Sequence, residues 1–532
     1  MKSKIAFALL CGAFVVQACD YRPPVAASDY KHYIDSFNAA DDELVRNFYP
    51  NDRAWEFLSA NIPLFDCPDK QLEETYYFRW WTFRKHIKET PEGFIITEFL
   101  PGVGWGGPHN AISCAAAHHF NEGRWLRDDR FLRDYARFWL EGSGKHASTV
   151  YSFWPAHALL AFDMVHPDSA FMAGLFPALE ENQRTWEDGR YHAEQELFWQ
   201  QDGRDGMEES ISGSYGSSHG YRATINSYMY GNMTALAELA GRMEIGEKAD
   251  FYGRKAERLK NAMDSRLWDA GADFYKVIPM TAELKLSDVR ELHGYTPWYF
   301  SIPGKERGAA WRYLMDPEYF YAEYGPTTAE QCHPLFRISY EGHECLWNGP
   351  SWPYATSVTL TALANYLQEN PASEYITDED YFRLLTNYSR CHRITFEDGA
   401  SQPWIDENLN PFTGDWISRT RLKTWSNGTW DAGKGGRERG KDYNHSTFND
   451  LVITGLVGLR PSSGGTLTVN PLVPHGEWDY FCLEGIPYKG RSITVMYDKT
   501  GKRYNRGKGY RIFVDGRQAF RSSDYTKAEI AL

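Results

Sequence analysis

Past its N-terminus the sequence has no apolar run long enough to cross a bilayer, and its mean hydropathy is −0.56. A multi-span membrane protein is excluded. Positive charge is scarce: 57 Lys and Arg stand against 71 Asp and Glu, a net charge of −14. That deficit argues against a nucleic-acid partner or an anionic membrane surface. Cysteine is scarce too, with 8 in 532 residues and no C-x-x-C spacing, too few for a disulfide framework in a chain this long. Cys332 and Cys345 can pair in an oxidising compartment or stay as free thiols. Metal signatures are missing as well: there is no H-E-x-x-H, Cys/His cluster or EF-hand loop. His118 and His119 are sequence neighbours that diverge on a helix, so they do not suit a shared ion. Without a P-loop, a G-x-G-x-x-G after a strand or a G-x-S-x-G, no nucleotide cofactor or serine nucleophile is indicated. The expectation is an activity that needs neither metal nor cofactor. Aromatics, by contrast, are abundant: 19 Trp, 34 Tyr and 30 Phe make up 16% of the chain, which argues against disorder.

The first residues read as a secretory signal. Lys2 and Lys4 form a basic start, Ile5 to Val16 an apolar stretch, and Val16-Gln17-Ala18-Cys19 resembles a bacterial lipobox. The expectation is a signal peptide over residues 1–18, cleavage before Cys19 and lipid on its sulfur. A tether and N-terminal segment follow over 19–40. The chain then reads as a bacterial outer-membrane lipoprotein, facing the periplasm or the cell surface, monomeric, and touching the membrane only through that lipid.

Residues 41–460 carry helical patterning. In Lys248 to Trp268, Ala249, Tyr252, Ala256, Leu259, Met263 and Leu267 fall on one face at the 3.6-residue period, with Arg and Lys opposite. Similar patterns predict helices over Asp128–Leu140, Ala156–Met164, Tyr228–Met243, Trp352–Leu367 and Phe448–Leu459. Gly-, Pro- and Trp-rich loops separate them, and loops of that kind are where function concentrates. After Pro461 the pattern alternates as in strands, in Thr466–Asn470, Ser492–Tyr497 and Gly509–Asp515. The reading is a mainly α protein, a helical toroid followed by a small C-terminal β domain over 461–532.

Three constellations stand out. The first runs from Trp199 through Asp202, Asp205, Glu208 and Glu209 to Gly213, where glycines let carboxylates approach a ligand. The plainer alternative, a solvated acidic loop countered by Arg204, fits poorly with Trp199, Met207, Ile211 and Tyr215. The second, Pro403 to Trp416, sets Trp404, Asp406, Glu407 and Asn408 before an Asn410-Pro411 turn. A self-bonded turn explains Asn410 and Thr413 but leaves Glu407 unexplained. The third, Glu341 to Pro353, places Trp347, Asn348 and Trp352 in a Pro-bounded loop suited to stacking and hydrogen bonding a sugar. Simple capping of a helix starting near Ser351 is the alternative. Trp105 and Asn110 form another polar-aromatic loop, Arg222 and Asn226 follow the acidic segment, and His445 precedes a helix whose expected cap is Ser446.

These motifs carry a resemblance. Trp347-Asn-Gly-Pro-Ser-Trp352-Pro353 resembles the W-R-G-P-x-W-P loop of family 63 glycoside hydrolases and related mannosylglycerate hydrolases and trehalases. Asp406 to Gly414 resembles their E-x-Y-x-P-x-T-G segment, which carries the catalytic base, and Gly206 to Ser210 their S-G-x-D-x-S segment, which carries the acid. The runs Tyr76–Lys85 and Tyr221–Tyr230 and the tail Asn470–Asp515 look closer to Bacteroidetes enzymes of the same clan, including family 142, associated with β-L-arabinofuranosidase activity. The resemblance spans about residues 70–515. It implies an (α/α)6 toroid without an N-terminal β-sandwich, Glu407 as base, and an acid that is Glu208 or Asp205, because Glu208 stands where the family shows Asp. An inverting, exo-acting glycosidase on a plant- or host-derived oligosaccharide is thereby expected. Inversion uses two carboxyls about 6.5–9.5 Å apart with a water between them. Trp105, Asn110, Arg222, Asn226, Trp347, Asn348, Trp352, Trp404 and His445 would line the sugar site. Two other classes compete: a polysaccharide lyase with its base in Tyr443-Asn444-His445, and a non-catalytic sugar-binding lipoprotein.

Overall fold

The computed structural model describes residues 21–425 and 431–532. The signal segment and Cys19 lie outside the described residues. The segment expected to be a tether is folded from Tyr21 onward. The Tyr21 phenol donates to Glu484 (3.1 Å), lies 3.0 Å from the Thr494 hydroxyl, and its ring packs on Phe513. Lys31–Ala40 is a helix that buries Ile34 and Phe37. The stretch Pro23-Pro24-Val25-Ala26-Ala27 between these two contacts masked their signal.

Paired helices build an (α/α)6 toroid. Helices follow in chain order at Ala54–Asn61, Lys70–Lys85, Ala116–Gly123, Arg130–Leu140, Pro155–Asp163, Ser169–Arg190, Ala223–Arg242, Gly246–Arg266, Pro353–Glu369, Asp378–Cys391 and Ile417–Trp425. Lys70–Lys85 lacked a one-sided pattern because it is buried nearly all round, with Tyr76, Tyr77, Trp80, Trp81 and Phe83 pointing to different neighbours. Asp69 caps it, accepting from the amides of Gln71 and Leu72. Among the described residues no helix is long and apolar enough to cross a membrane, and all six described cysteines are free, so Cys332 and Cys345 are unpaired.

The helix expected over Phe448–Leu459 is a single π-helical turn, Leu451–Leu456. Ser446 does not cap it, since its hydroxyl has no partner. Instead the Glu122 carboxylate, from the neighbouring helix, accepts the amides of Phe448, Asn449 and Asp450 at 2.9–3.3 Å. A carboxylate suits this position because unsatisfied amides at a helix start carry partial positive charge. Asp450 in turn accepts Arg124 (2.7 Å) and the Trp125 indole (2.7 Å). Asp450→Ala leaves the Arg124 charge buried and unpaired, so we expect a loss of about 3–5 kcal/mol in denaturant unfolding.

The C-terminal strands form a five-stranded antiparallel sheet ordered Leu64–Asp66, Tyr480–Tyr488, Arg491–Asp498, Gly509–Val514 and Arg517–Ser522. A smaller sheet joins Leu459–Arg460, Thr466–Val469 and Ala528–Ala531. The first strand comes from far upstream, so the larger sheet is not built from residues 461–532 alone. Asp66 reinforces the junction, accepting Arg503 (2.8 Å) and the Tyr504 hydroxyl (2.7 Å).

Candidate active site

The acidic loop follows the strand Leu197–Gln201 and precedes the strand His219–Tyr221. Asp202 clamps its two ends: its amide donates to Ser218 O and its carbonyl accepts from the Met207 amide, both at 2.9 Å. Gly206 takes a left-handed φ of 71° and packs so closely that a Cβ would meet Cys114 Sγ at 3.1 Å. Met207 and Ile211 are buried, so the loop is a packed wall rather than a solvated charge cluster. Its turn delivers Glu208, half-buried, to a cavity of about 350 Å³. Burial, with Glu407, Glu98 and Asp202 adding to it, pushes the Glu208 carboxyl up to about 8. Asp205 points the other way. It is 1% exposed, accepts from the Ser152 hydroxyl (2.6 Å) and from Thr224, and does not line the cavity. Burial raises it to about 6, against Arg222 and those hydroxyls.

Three consecutive residues of the second constellation are fixed in different ways. Asp406 accepts Arg419 (2.9 Å), the Ser418 hydroxyl (3.1 Å) and the Glu407 amide (2.9 Å). Asn408 donates to Glu344 O (2.8 Å). The Glu407 side chain between them is fully buried. Leu409 and Ser351 exchange two backbone bonds at 3.0 Å, and the Trp347 amide donates to Glu208 O, also at 3.0 Å. The three loops singled out in the sequence are therefore hydrogen-bonded to one another.

Arg439 joins the charges. Its Nε donates to Glu407 Oε1 (2.8 Å) and its Nη1 to Glu344 Oε1 (2.5 Å), while Lys434 Nζ reaches both Glu344 oxygens (3.0 and 3.2 Å). Cys345 Sγ donates to Glu407 Oε2 (3.3 Å). The result is an alternating chain Glu407–Arg439–Glu344–Lys434. Burial lifts Glu407 above the usual carboxylate range and Arg439 pulls against it. Glu344 shares that burial, yet Arg439, its own amide and Lys434 hold it near 2. Removing the guanidinium has a signed consequence. In Arg439→Gln the Glu407 carboxyl rises further, so it protonates at higher pH, and the acid limb of kcat/KM against pH moves up.

Aromatic rings close the cavity. Trp347 and Trp352 stack at 4.4 Å, and the Trp352 indole donates to Leu346 O. Trp105 is 38% exposed with the Arg439 guanidinium 4.6 Å over its ring. His445 lines the wall with its ring 3.8 Å from that of Tyr443; burial and the neighbouring His118 and Arg79 keep the imidazole neutral.

Of the residues expected to bind sugar, Trp105, Trp347, Trp352 and His445 line the cavity with Glu208. The others do not. Asn110 braces the Trp105 loop, accepting from the Val103 amide and donating to Phe99 O and Pro101 O. Asn226 clamps Phe198 through its amide and carbonyl. Arg222 is buried behind the acidic loop, bonded to Ser218 O and Ser212. Asn348 Oδ1 is buried without a partner, away from the lining. Trp404 lies at a separate groove under Arg419, 4.9 Å from its ring. Polarity beside a loop singled out Asn110, Arg222 and Asn226, but in the fold it serves to hold loops rather than to face the cavity.

Sequence reasoning gave no role to Glu98, Glu344 or Arg439, and offered Tyr443 only within the competing lyase reading. One signal was available for Arg439: it lies within the glycine-dense run Gly433 to Gly440. Gly440 has a φ of 75° and a Cβ there would collide with Asp406 Oδ1, so only glycine lets this segment pass the Glu407 loop.

His343, Glu344 and Cys345 bring their ligand atoms within 4.8 Å of one another. This trio does not fit a metal: Glu344 already binds two cationic side chains, Arg439 touches Cys345 Sγ (3.5 Å), and burial holds the thiol protonated.

With the geometry in hand, comparison with known proteins is informative. The family model for the mannosylglycerate hydrolase MGH1-like glycoside hydrolase domain matches residues 108–446. That for the glycosyl hydrolase family 65 C-terminal domain matches residues 459–519. A solved structure named as a sialidase is 40% identical over 95% of this chain, with a TM-score of 0.86. The chain covers 45% of that protein, so it spans less than half of its relative's length. Two distant structures share the fold. The GH78 family rhamnosidase of Bacillus sp. GL1 is 12% identical (TM-score 0.52, 82% of this chain, 40% of that one). Streptomyces avermitilis α-L-rhamnosidase complexed with L-rhamnose is 13% identical (TM-score 0.51, 88% and 41%). The matched domain contains Glu208, the Trp347 loop, Glu407 and Arg439, and the chain belongs to the mannosylglycerate hydrolase MGH1-like glycoside hydrolases.

Proposed function

We propose that this chain is an inverting, exo-acting glycosidase with Glu208 as general acid and Glu407 as general base. The observation that carries the reading is the pair itself: one carboxyl held protonated at the cavity surface, and a second, Glu407, that does not line the cavity but is buried behind it and tied to Arg439, which does. The acid gives its proton to the leaving oxygen while the base takes one from the attacking water. Glu344 also lines the cavity, but its two cations make it a weak proton acceptor, whereas the higher value of Glu407 suits a base. Arg439 and Cys345 both bond Glu407 and line the cavity, so a water has to pass them to reach the base.

The size of the cavity supports action at a chain end, because a space of about 350 Å³ is at the small end for ligand sites. Its charges favour a neutral sugar. Arg439 and Lys434 are both engaged by carboxylates, and Glu98, Glu208 and Glu344 share the wall. An anionic sugar would find both cations already paired with carboxylates, so the name of the longer relative is a poor guide to substrate. The stacked Trp347 and Trp352 supply the apolar face that a neutral glycosyl ring needs. A lyase base at Tyr443 is unfavourable, since burial, Glu98 and Glu407 hold its phenol strongly protonated. We also propose lipid attachment at Cys19, an outer-membrane location and a monomer.

The test is a glycan panel that includes plant pectin fragments and L-arabinose-, L-rhamnose- and D-mannose-terminated oligosaccharides, read by product NMR. The expected first product is a single sugar of inverted anomeric configuration. A retained anomer, an unsaturated product or internal cleavage would overturn this reading.

A further inference from the structure

One carboxyl in the cavity has no part in the acid–base pair. Glu98 follows the strand Gly93–Ile96, and its backbone is pinned where the Asn444 amide donates to Glu98 O (3.1 Å) and the Asn444 side chain to Thr97 O (3.3 Å). Its side chain is 6% exposed and lines the cavity. The Tyr443 hydroxyl donates to Oε1. Oε2 is buried and has no hydrogen-bond partner in the protein. Arg439 does not supply one, because its nitrogens go to Glu407, Glu344 and Cys345.

A buried carboxyl oxygen left unpaired is unfavourable unless a ligand completes it. We propose that Glu98 is a sugar-contacting residue whose Oε2 hydrogen-bonds a hydroxyl of the glycosyl unit held in the cavity, with Tyr443 fixing its orientation. This deepens the glycosidase reading and rests on it for the nature of the ligand. Glu98 acts as the donor. Tyr443 already occupies Oε1 with its own proton, and burial, reinforced by the Glu407 charge, pushes the carboxyl up to about 8. The proton therefore resides on Oε2, facing the cavity. A site built to pair a hydroxyl rejects an analogue lacking it far more strongly than an apolar pocket rejects a missing methylene. Glu98 is thus a determinant of which sugar is accepted.

The test uses the full chain and Glu98→Ala, Glu98→Gln and Glu208→Gln variants. Substrates are the 4-nitrophenyl glycosides of L-arabinose, L-rhamnose, D-mannose and D-glucose and the monodeoxy analogues of whichever is cleaved. We expect Glu98→Ala to lose about 100-fold in kcat/KM, and Glu98→Gln, whose amide still donates, to stay within about 10-fold. Against one monodeoxy analogue the wild type and Glu98→Ala should become equal. Equal loss on every analogue, or a Glu98→Ala enzyme within twofold of wild type, overturns the proposal. So does a Glu98→Gln defect that grows as the leaving group worsens, since that marks Glu98 as the acid. Calorimetric titration with the four free sugars separates this proposal from the function it builds on. If no glycoside is cleaved but a sugar binds and Glu98→Ala abolishes that binding, the hydrolase reading fails and the Glu98 contact stands. If cleavage is robust and the alanine variant is silent, the reverse holds.

Discussion

Glu407→Gln should lower kcat by about 1,000-fold, in the range typical of losing a positioned general base, with KM changed only a few-fold. The substitution is nearly isosteric, so the fold around it has reason to survive. The amide oxygen can still accept Arg439 Nε, and Arg439 keeps its second carboxylate, Glu344. The Leu409–Ser351 backbone pairing that holds the loop does not involve the changed group. What is lost is the ability to take a proton from water. Glu344→Gln provides the control, because its carboxylate shares Arg439 with Glu407 and lines the cavity, yet is held near 2 by Arg439 and Lys434. We expect a smaller loss there, in which freeing part of the Arg439 charge draws Glu407 down and shifts the acid limb to lower pH. Steady-state kinetics on any cleaved glycoside checks both. If Glu407→Gln stays within tenfold of wild type while Glu344→Gln is inactive, the base belongs at Glu344.

The sequence revealed the toroid through helices with one wet face, such as Gly246–Arg266, where apolar residues recur at helical spacing. It failed at Lys70–Lys85 for the opposite reason: a helix surrounded by protein shows no periodic contrast. It failed again at the π-helical turn, where Glu122, over 300 residues upstream in sequence, does the work expected of Ser446. The site divides along the same line. Glu208, Glu407 and the two stacked tryptophans sit in loops whose composition is odd for a surface, so they could be singled out locally. Arg439 and Glu98 acquire meaning only from what they touch: Arg439 from Glu407 and Glu344, Glu98 from Tyr443. The reverse error has the same origin. Asn226 and Arg222 are polar and close in sequence to the acid, but their partners are backbone groups and loop hydroxyls that the fold brings behind the wall.

Glu208→Gln should have an effect that depends on the leaving group. For a sugar alcohol, which departs poorly without a proton, kcat should fall about 1,000-fold. For an activated aryl glycoside the loss should be far smaller, because departure then needs little protonation. The pH profile gives a second, signed reading. Glu208 must be protonated to act, and burial with the nearby Glu407, Glu98 and Asp202 charges places its transition near 8, so wild-type activity should fall as pH rises through that value. Glu98, also raised to about 8, loses its hydroxyl-pairing proton over the same window, so two carboxyls share the alkaline limb. Substitution separates them. In Glu98→Gln one neighbouring negative charge is gone, Glu208 is easier to ionise, and the limb should move to lower pH. In Glu208→Gln with the activated substrate, the limb that remains belongs to Glu98. In Glu407→Gln the residual activity should likewise show an earlier alkaline fall, since the base charge is the first-named carboxylate holding Glu208 up. A limb fixed at one pH across all three variants would mean that the proton lost there sits on none of these carboxyls. The acid would then have to be sought at Asp205, whose rise to about 6 predicts a distinctly more acidic transition.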